Sequence, residues 1–452
     1  MRFSRILLCA TAACLSPALG LAAPDDARLR EIAAAPDATE LRATISALVG
    51  FGTRHTLSDP SSATRGIGAA RNWARARLEK IAADCGQCLS VTTFARSVTG
   101  ERIPSPTEVV DVVAIQKGTE DPDRVVVLTG HLDSRVSDVT NSTADAPGAD
   151  DDGSGVAAVI EAARILSRYK FPATIVYGVL SGEEQGLYGG KILAETAKEH
   201  HWRVEADLNN DIVGAIRGQN AVVDNSRLRV FSEGTRAVET AEEARRRRFE
   251  GGEDDSASRN VARYAKAVAE RYLPNWTVAL IYRVDRYRRG GDHEAFNELG
   301  FPGVRFTENA EDYRHQHQDV RVENGVEYGD TIDHLDFAYL ARVTATNALA
   351  AAAMAWAPSP PTAVKVAGAV SPDTRVSWTP ASGTAAATTY RVYWRDTASA
   401  AWTNFRDAGN AESLLLTNVV IDDYEFGVAS VAPDGTESPV AFAGSAGAFW
   451  SP

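Results

Sequence analysis

The chain has 452 residues, of which 44% are hydrophobic and 24% are charged, and its formal net charge is -13 at pH 7. This length exceeds one ordinary core and fits two domains, at roughly 100 to 200 residues per domain. The composition excludes a wholly disordered chain. The acidic balance excludes nucleic acid and anionic lipid as expected partners, because both would be repelled. A small molecule or a peptide is the expected ligand.

The N-terminus has the layout of a secretory signal, with arginines near the start, an apolar run over 6–19, and small residues at Ala22 and Ala23. We expect residues 1–23 to be a signal peptide and the mature protein to be exported, either to a periplasm or into the medium. Later stretches fall short of the roughly 20 apolar residues that a membrane span needs. The sequence therefore predicts no membrane span.

Two cysteines outside the signal stand close together, Cys85 and Cys88 in CGQC. In an exported protein this spacing favours a local disulfide. A redox motif or half of a zinc site stays open, although the mature chain has no second cysteine pair.

The pattern of apolar residues changes along the first domain. Residues 25 to 85 show helical spacing, and from Val109 apolar strands alternate with helices as far as Val213. Strands that are apolar on both faces and separated by helices predict an α/β fold, with a mostly parallel central sheet and helices on both faces. The charged, glycine-containing residues 215–290 are expected to form an insertion near the active site.

A proline-rich linker at 358–361 separates a first domain, 24–357, from a second at 362–452. The second domain has short alternating strands about 10 residues apart, which predicts a β-sandwich. It resembles a fibronectin type III domain, with Trp378 as the core tryptophan and Tyr424 at the tyrosine corner. The resemblance implies a spacer or an attachment to a surface or polysaccharide.

Metal-ligand residue types follow the predicted strands of the first domain, where ligands bind in α/β sheets. They are His131 and Asp133, the turn GADDDGSG at 148–155, the pair Glu183 and Glu184, Asp211, and the downstream segment RHQHQDV with His315, His317 and Asp319. Nitrogen and carboxylate ligands without thiolate suit zinc or a similar divalent ion.

These segments are similar to the M28 family of zinc peptidases, the bacterial leucyl aminopeptidase type, from about Val109 to Asp319. The resemblance implies a zinc exopeptidase fold, two zinc ions per chain and peptide substrates. It assigns one zinc to His131 and Glu184 and the other to Asp211 and His315, with Asp151 bridging both and Glu183 as general base.

The chemistry of the residues agrees with these roles. Two close cations need a shared carboxylate, which Asp151 can supply, and one of two adjacent glutamates can ligate while the other reaches the reacting water. Asp133 and Asp319 are suited to accept the second imidazole N–H of a ligand histidine. His315 and His317 compete for the last ligand position, and His315 is preferred because the family pattern is His, three residues, Asp.

The segment RGGDHEAF resembles the family's Ser-Asp-His segment, so Asp292 and His293 are expected at the substrate site, although a structural pair remains equally open. Tyr287 is a further candidate for the substrate site. It stands near the position of a family cysteine pair, so the specificity pocket cannot be carried over. The expected activity is that of an aminopeptidase. Alternatives are a carboxypeptidase of the same fold, a single-zinc glutaminyl cyclase, and an inactive surface-binding module.

Overall fold

The structure, a computed structural model, describes residues 25–253, 255–383, 388–444 and 447–449. The expected signal peptide, 1–23, lies outside these residues, so it stays a prediction. Among the helices of the described residues, none is long and apolar enough to cross a membrane.

The helices of the first domain cover both faces of a central sheet. Their bounds are α1 (Ala27–Ala34), α2 (Ala38–Val49), α3 (Gly66–Asp84), α4 (Gly153–Leu166), α5 (Tyr188–Glu199), α6 (Ala241–Glu250), α7 (Ala257–Tyr272), α8 (His293–Glu298) and α9 (Phe337–Trp356). Helices α2, α4 and α9 pack together on one face, and α5 packs with α8 on the other. The Ala-rich helix α9 is almost entirely buried and ends just before the proline-rich linker.

The central sheet has eight strands in the order β1-β2-β4-β3-β5-β8-β6-β7. Their bounds are β1 (Ser90–Gly100), β2 (Ile103–Gln116), β3 (Asp121–His131), β4 (Ala173–Leu180), β5 (Arg203–Asn210), β6 (Arg227–Ser232), β7 (Thr277–Ile281) and β8 (Gly303–Glu308). Strands β4, β3, β5 and β8 are parallel neighbours, whereas β1 and β2 form an antiparallel hairpin at one edge. Every residue of β4 is buried, as expected for a strand with helices on both faces.

The α/β fold class with helices on both faces of the sheet is confirmed. Two details differ from the expectation. Strand β1 was not predicted, because this edge strand buries little of its side-chain surface. The segment 215–290, expected as an insertion, supplies β6 and β7 to the central sheet and the buried helix α7, so much of it is part of the core.

Residues after the linker form two antiparallel sheets. The strands of these two sheets are β11 (Thr362–Ala367), β12 (Thr374–Thr379), β13 (Thr389–Asp396), β14 (Asn404–Gly409), β15 (Ser413–Leu416), β16 (Tyr424–Val431) and β17 (Ala441–Phe442). The two remaining strands, β9 (Arg321–Glu323) and β10 (Val326–Tyr328), form a hairpin in the first domain. One sheet has the order β11-β12-β15 and the other β14-β13-β16-β17. Trp378 is buried between them, with its ring 5.5 Å from that of Tyr390.

The two-sheet unit packs directly on helix α7. The buried side chain of Arg395 donates to Asp255 at 2.9 Å, and Trp402 Nε1 donates to Asn260 Oδ1 at 2.9 Å. The hydroxyl of Tyr264 donates to the carbonyl of Glu437 at 2.8 Å. These buried contacts make the second unit part of a continuous structure with the first.

Cysteines 85 and 88 form a disulfide just after helix α3, as the sequence predicts. The sulfur of Cys88 lies 3.3 Å from the carbonyl oxygen of Ser167. The bond therefore closes the turn between α3 and β1 and lies against the end of α4.

Candidate metal centre

The candidate site lies at the carboxyl ends of the parallel strands. Strand β3 ends at His131, Glu183 and Glu184 follow β4, and Asp211 follows β5. Asp151 lies in the loop just before α4. Because neighbouring parallel strands end at the same edge of a sheet, these side chains converge there.

Three groups of described side chains have ligand atoms within 4.8 Å of one another. Two of them contain the expected ligands, His131 with Glu183 and Asp211, and Asp151 with Glu184 and His317, whereas the third is Asp285 with His293 and Glu294. Asp151 joins the first two groups, since its Oδ1 is 3.2 Å from His131 Nε2 and its Oδ2 is 2.8 Å from His317 Nε2. One carboxylate therefore faces both histidines with different oxygens. This is the arrangement that a shared ligand of two cations requires.

The grouping differs from the expected one in two respects. Asp211 stands with His131, its Oδ1 3.9 Å from the imidazole Nε2, whereas Glu184 Oε1 stands 3.0 Å from His317 Nε2. His317, the alternative candidate, occupies the position expected for His315. The cause is local backbone geometry, because Gln316 is extended and His317 has a positive φ of 53°, which turns the two histidines apart.

His315 lies outside both groups. Its ring is stacked on that of His334, with 3.5 Å between the centroids, and its Nδ1 is 3.0 Å from the carbonyl oxygen of Gly329. Asp319, expected to support it, instead accepts a hydrogen bond from the hydroxyl of Ser137.

Asp133 supports the site in another way than expected. His131 Nδ1 is 3.0 Å from the backbone carbonyl oxygen of Asp133, not hydrogen bonded to its carboxylate, which is 3.7 Å away. An N–H at Nδ1 directs the lone pair of Nε2 into the cluster. The buried carboxylate accepts from the backbone N–H groups of Gly182, Glu183 and Glu184 at 2.8, 3.3 and 3.1 Å. Asp133 thus fixes the loop that carries both glutamates.

Three further buried residues, none of them predicted as a site residue, form hydrogen bonds that fix the loops with the candidate ligands. Asp152 accepts from the N–H of His131 at 2.9 Å. Asp330 accepts from the N–H groups of Asp150 and Asp151, both at 2.8 Å. The third is Arg54, which follows helix α2.

Arg54 is fully buried and donates to three backbone carbonyls. Its Nε donates to Leu132 at 2.6 Å, and its Nη1 and Nη2 donate to Pro147 at 2.5 Å and Gly148 at 2.8 Å. Burial lowers the pKa of Arg54 to about 10, against the opposing effect of Asp330 and other nearby aspartates. The guanidinium therefore remains charged at neutral pH and joins the loop after β3 to the loop that contains Asp151.

Buried acidic groups dominate the electrostatics of the cluster. Burial raises the pKa of Glu183 well above its usual range, and the nearby charges of Asp211 and Glu184 add to this effect. Burial would likewise raise the pKa of Asp151, but the imidazoles of His317 and His131 hold it well below its usual range. Positive charge at His317 and His131 therefore keeps the Asp151 carboxylate ionised.

The three expected substrate-site residues are placed differently from one another. Asp292 is buried and accepts from the N–H of Gly190 at 3.0 Å, and burial raises its pKa to about 7. His293 is buried, and its Nε2 lies 2.8 Å from the carbonyl oxygen of Val284. Tyr287 is 70% exposed. Asp292 and His293 thus brace neighbouring loops, which is the structural alternative left open, and Tyr287 faces solvent.

Arginines approach the centre from two sides. Arg135 Nε donates to Glu184 Oε2 at 2.7 Å, and its Nη2 lies 2.6 Å from His317 Nδ1. On the opposite side Arg305 Nη2 lies 2.8 Å from Asp211 Oδ1. Neither arginine lies in a ligand motif, so neither is predictable from the sequence as part of the site.

Comparison with known proteins agrees with this geometry. The chain matches the model of peptidase family M28 over residues 111–348. A protein of Pyrenophora teres f. teres named "Probable zinc metalloprotease" is 42% identical over 424 residues, which cover 93% of this chain and 87% of that protein. One of the same name from Pyricularia oryzae is 43% identical over 422 residues, covering 92% and 84%.

Solved structures show the same fold. The LapA aminopeptidase of Legionella pneumophila has a TM-score of 0.55 at 19% identity, covering 78% of this chain and 78% of that one. LapB from the same organism has a TM-score of 0.53 at 18% identity, covering 74% and 76%. At these identities the likeness concerns the fold alone. The family match and the extent of the closely related sequences together establish that the chain belongs to peptidase family M28.

Proposed function

We propose that the protein is an exported aminopeptidase that holds two zinc ions per chain and hydrolyses the N-terminal peptide bond of peptides. The observation that carries the proposal is the placement of Asp151, whose two carboxylate oxygens face His131 and His317. Each side is completed by one more carboxylate, Asp211 beside His131 and Glu184 beside His317.

The donor set fits zinc. Each side offers one imidazole nitrogen and carboxylate oxygens without a thiolate. His131 Nε2 is buried and has no hydrogen-bond partner within the described part of the chain. Three buried carboxylates, Asp151, Glu184 and Asp211, together with the partly exposed Glu183, would also repel one another if all were ionised. A pair of divalent cations removes both costs, and the names of the fungal relatives support zinc as the metal.

Glu183 is the acidic side chain left over for proton transfer. Its Oε2 is 4.0 Å from His131 Nε2, and its side chain is 13% exposed, so it borders both the centre and the solvent. Two cations in this centre would polarise the scissile carbonyl and make a water molecule more acidic. Glu183 takes a proton from the water and returns it to the leaving amine.

Cleavage at the N-terminus is supported by the intact GADDDGSG turn, which M28-type carboxypeptidases typically replace. Zinc content and peptide cleavage of the purified protein test this directly. We expect close to two zinc ions per chain and release of the first residue from an unblocked peptide, but not from its N-acetylated form.

Other outcomes of the same experiment favour the alternatives. One zinc ion, with cyclisation of an N-terminal glutamine, would identify a glutaminyl cyclase. Release of the last residue from the blocked peptide would identify a carboxypeptidase. Two zinc ions without any turnover would leave an inactive binding module.

Variants separate the roles within the centre. Glu183→Ala should retain zinc and lower turnover by about 10²- to 10⁴-fold, as expected for loss of a general base. His317→Ala should lose zinc, whereas the matched variant His315→Ala, two residues away, should keep close to the full content. The opposite behaviour of the two histidine variants would contradict the proposed ligand set.

Export and the identity of the C-terminal unit belong to the same proposal. The Cys85–Cys88 disulfide is suited to an oxidising compartment, and the sheet orders of residues 362–449 support a fibronectin type III-like sandwich. N-terminal sequencing of the secreted or periplasmic protein should find a start near Ala23 or Pro24. Attachment to a surface or a polysaccharide stays a prediction.

A further inference from the structure

A cluster of arginines lies beside the Asp211 side of the candidate centre. Among the described residues, four guanidiniums share three carboxylates within 4.0 Å. The guanidiniums are those of Arg229, Arg286, Arg289 and Arg305, and the carboxylates are those of Asp211, Asp285 and Glu311. Further acids lie close by, with Glu183 within 4.8 Å of Asp211 and Glu294 within 4.8 Å of Asp285.

Arg286 and Arg305 each have a buried donor without a hydrogen-bond partner among the described residues, but Arg305 is fully buried. Arg286 is the member that borders solvent, with 9% of its side chain exposed. Its Nε donates to Asp285 Oδ1 at 3.1 Å and its Nη2 donates to the carbonyl of Gly290 at 3.3 Å, which fix the plane of the guanidinium. Its Nη1 is buried and has no hydrogen-bond partner among the residues that the structure describes. Its Nη2 is 4.0 Å from Asp211 Oδ2. A fixed, underused donor thus stands at the edge of the proposed reaction centre.

The nearby acid does not satisfy Arg286. Glu311 Oε2 is 3.7 Å from Arg286 Nη1, which is beyond hydrogen-bond distance. Glu311 already contacts Arg229 and Arg289, and it accepts from Gln316 Nε2 at 3.1 Å. A buried guanidinium N–H without an acceptor costs free energy, and a carboxylate is the group that matches its geometry and charge best.

We propose that Arg286 binds a carboxylate of the substrate, so that the enzyme selects peptides with an acidic group close to the scissile bond. The carboxylate comes either from the side chain of an N-terminal glutamate or aspartate or from the free C-terminus of a dipeptide. This inference rests on the proposed peptidase function.

Binding of matched dipeptides to the zinc-loaded Glu183→Ala variant tests the inference, because this variant should consume the ligand about 10²- to 10⁴-fold more slowly than the wild type. Glu-Ala-amide carries only the side-chain carboxylate, Gln-Ala only the terminal carboxylate, and Gln-Ala-amide neither. We expect one of the first two to bind about 10- to 100-fold more tightly than the last by calorimetry, as for a charge-assisted hydrogen bond. Which peptide gains identifies the source of the carboxylate.

Two variants of Arg286, each made in the Glu183→Ala protein, show whether this residue causes the binding preference. Arg286→Met should abolish the preference, and Arg286→Lys, which keeps the charge but not the planar fork, should keep only part of it. Arg283→Met is the matched control, since Arg283 lies on the same segment, is exposed and packs over the Tyr287 ring. It should leave the preference intact.

Equal binding of the three peptides, or a preference that survives Arg286→Met, would overturn the inference. If Arg286→Met does not fold, an unchanged preference in Arg286→Lys overturns it instead. Turnover by the enzyme with Glu183 intact separates this result from the parent proposal. If the enzyme cleaves neutral peptides and shows no carboxylate preference, only the role of Arg286 is refuted. If the peptides bind with the expected preference but none is cleaved, only the peptidase proposal is refuted.

Discussion

Replacing Arg54 by methionine should destabilise the fold and weaken metal binding together. Methionine fills similar volume but has no donor, so the carbonyls of Leu132, Pro147 and Gly148 would lose the hydrogen bonds that Arg54 makes. Leu132 follows His131 directly, and Gly148 is in the same loop as Asp151. The variant therefore loosens two ligand loops without touching a ligand.

The size of the effect follows mainly from two acceptors, the carbonyls of Leu132 and Pro147, because the Gly148 carbonyl also accepts from the N–H of Gly153 at 3.0 Å. Each buried carbonyl left unsatisfied costs about 1 to 3 kcal/mol, and part of this is regained because a charged guanidinium no longer has to be buried. We expect a net loss of about 2 to 4 kcal/mol in the free energy of unfolding. Loss of a group that orients metal ligands typically lowers metal affinity by about 10- to 100-fold.

Urea unfolding of the metal-free protein measures the first quantity, and zinc competition with a chelating dye measures the second. Arg54→Lys is the matched variant, because it keeps the charge but cannot span three carbonyls, and it should fall between Arg54→Met and the wild type. The reasoning is refuted if Arg54→Met unfolds within 1 kcal/mol of the wild type and binds zinc within about threefold of it. If Arg54→Met does not fold, Arg54→Lys supplies the same comparison.

Three further variants test separate parts of the structure. Asp133→Asn removes acceptors from the loop with both glutamates, so zinc affinity should fall about 10- to 100-fold in the chelator assay; an unchanged affinity would contradict this role. Arg395→Met leaves buried Asp255 with Arg263 as its ion-pair partner. The free energy of unfolding in urea should fall by about 2 to 3 kcal/mol, less than for a fully unpaired charge, and no loss would argue against a tight interface between Arg395 and Asp255. Burial raises the pKa of Glu233 from 4.5 to about 7, so the folded state keeps its proton to higher pH and stability falls by about 3 kcal/mol as pH rises from 4.5 to 7. Glu233→Gln should remove that part of the pH dependence of urea unfolding, and identical slopes for the two proteins would count against it.

The residues near strand ends were predictable from the sequence. His131, Asp151, Glu184 and Asp211 follow apolar strands directly or begin a helix after a glycine-rich turn, and parallel strands bring such positions together. The choice between His315 and His317 was not predictable in the same way. Both lie in an irregular segment between β8 and α9, where one positive φ angle decides which ring enters the cluster.

Residues that act through long-range contacts left no local signal. Arg54 is 78 residues from Leu132 and 94 from Gly148 along the chain. Asp330 is 179 residues from the N–H of Asp151. The interface of Arg395 with Asp255 is likewise invisible in either segment alone. Periodicity reports which face of an element is buried, but it does not report which distant backbone groups a buried polar side chain will meet.

The wide spacing of the ligand residues has a consequence for biosynthesis. The centre needs residues from 131 to 317, and the central sheet receives β8 only after β6, α7 and β7 have been made. Contacts between such distant parts of a chain form late and slowly. A nascent chain that has passed Asp211 but not yet reached His317 cannot assemble the centre, so a ribosome-bound or truncated chain would be catalytically silent. Activity would therefore arise only at a late stage of synthesis.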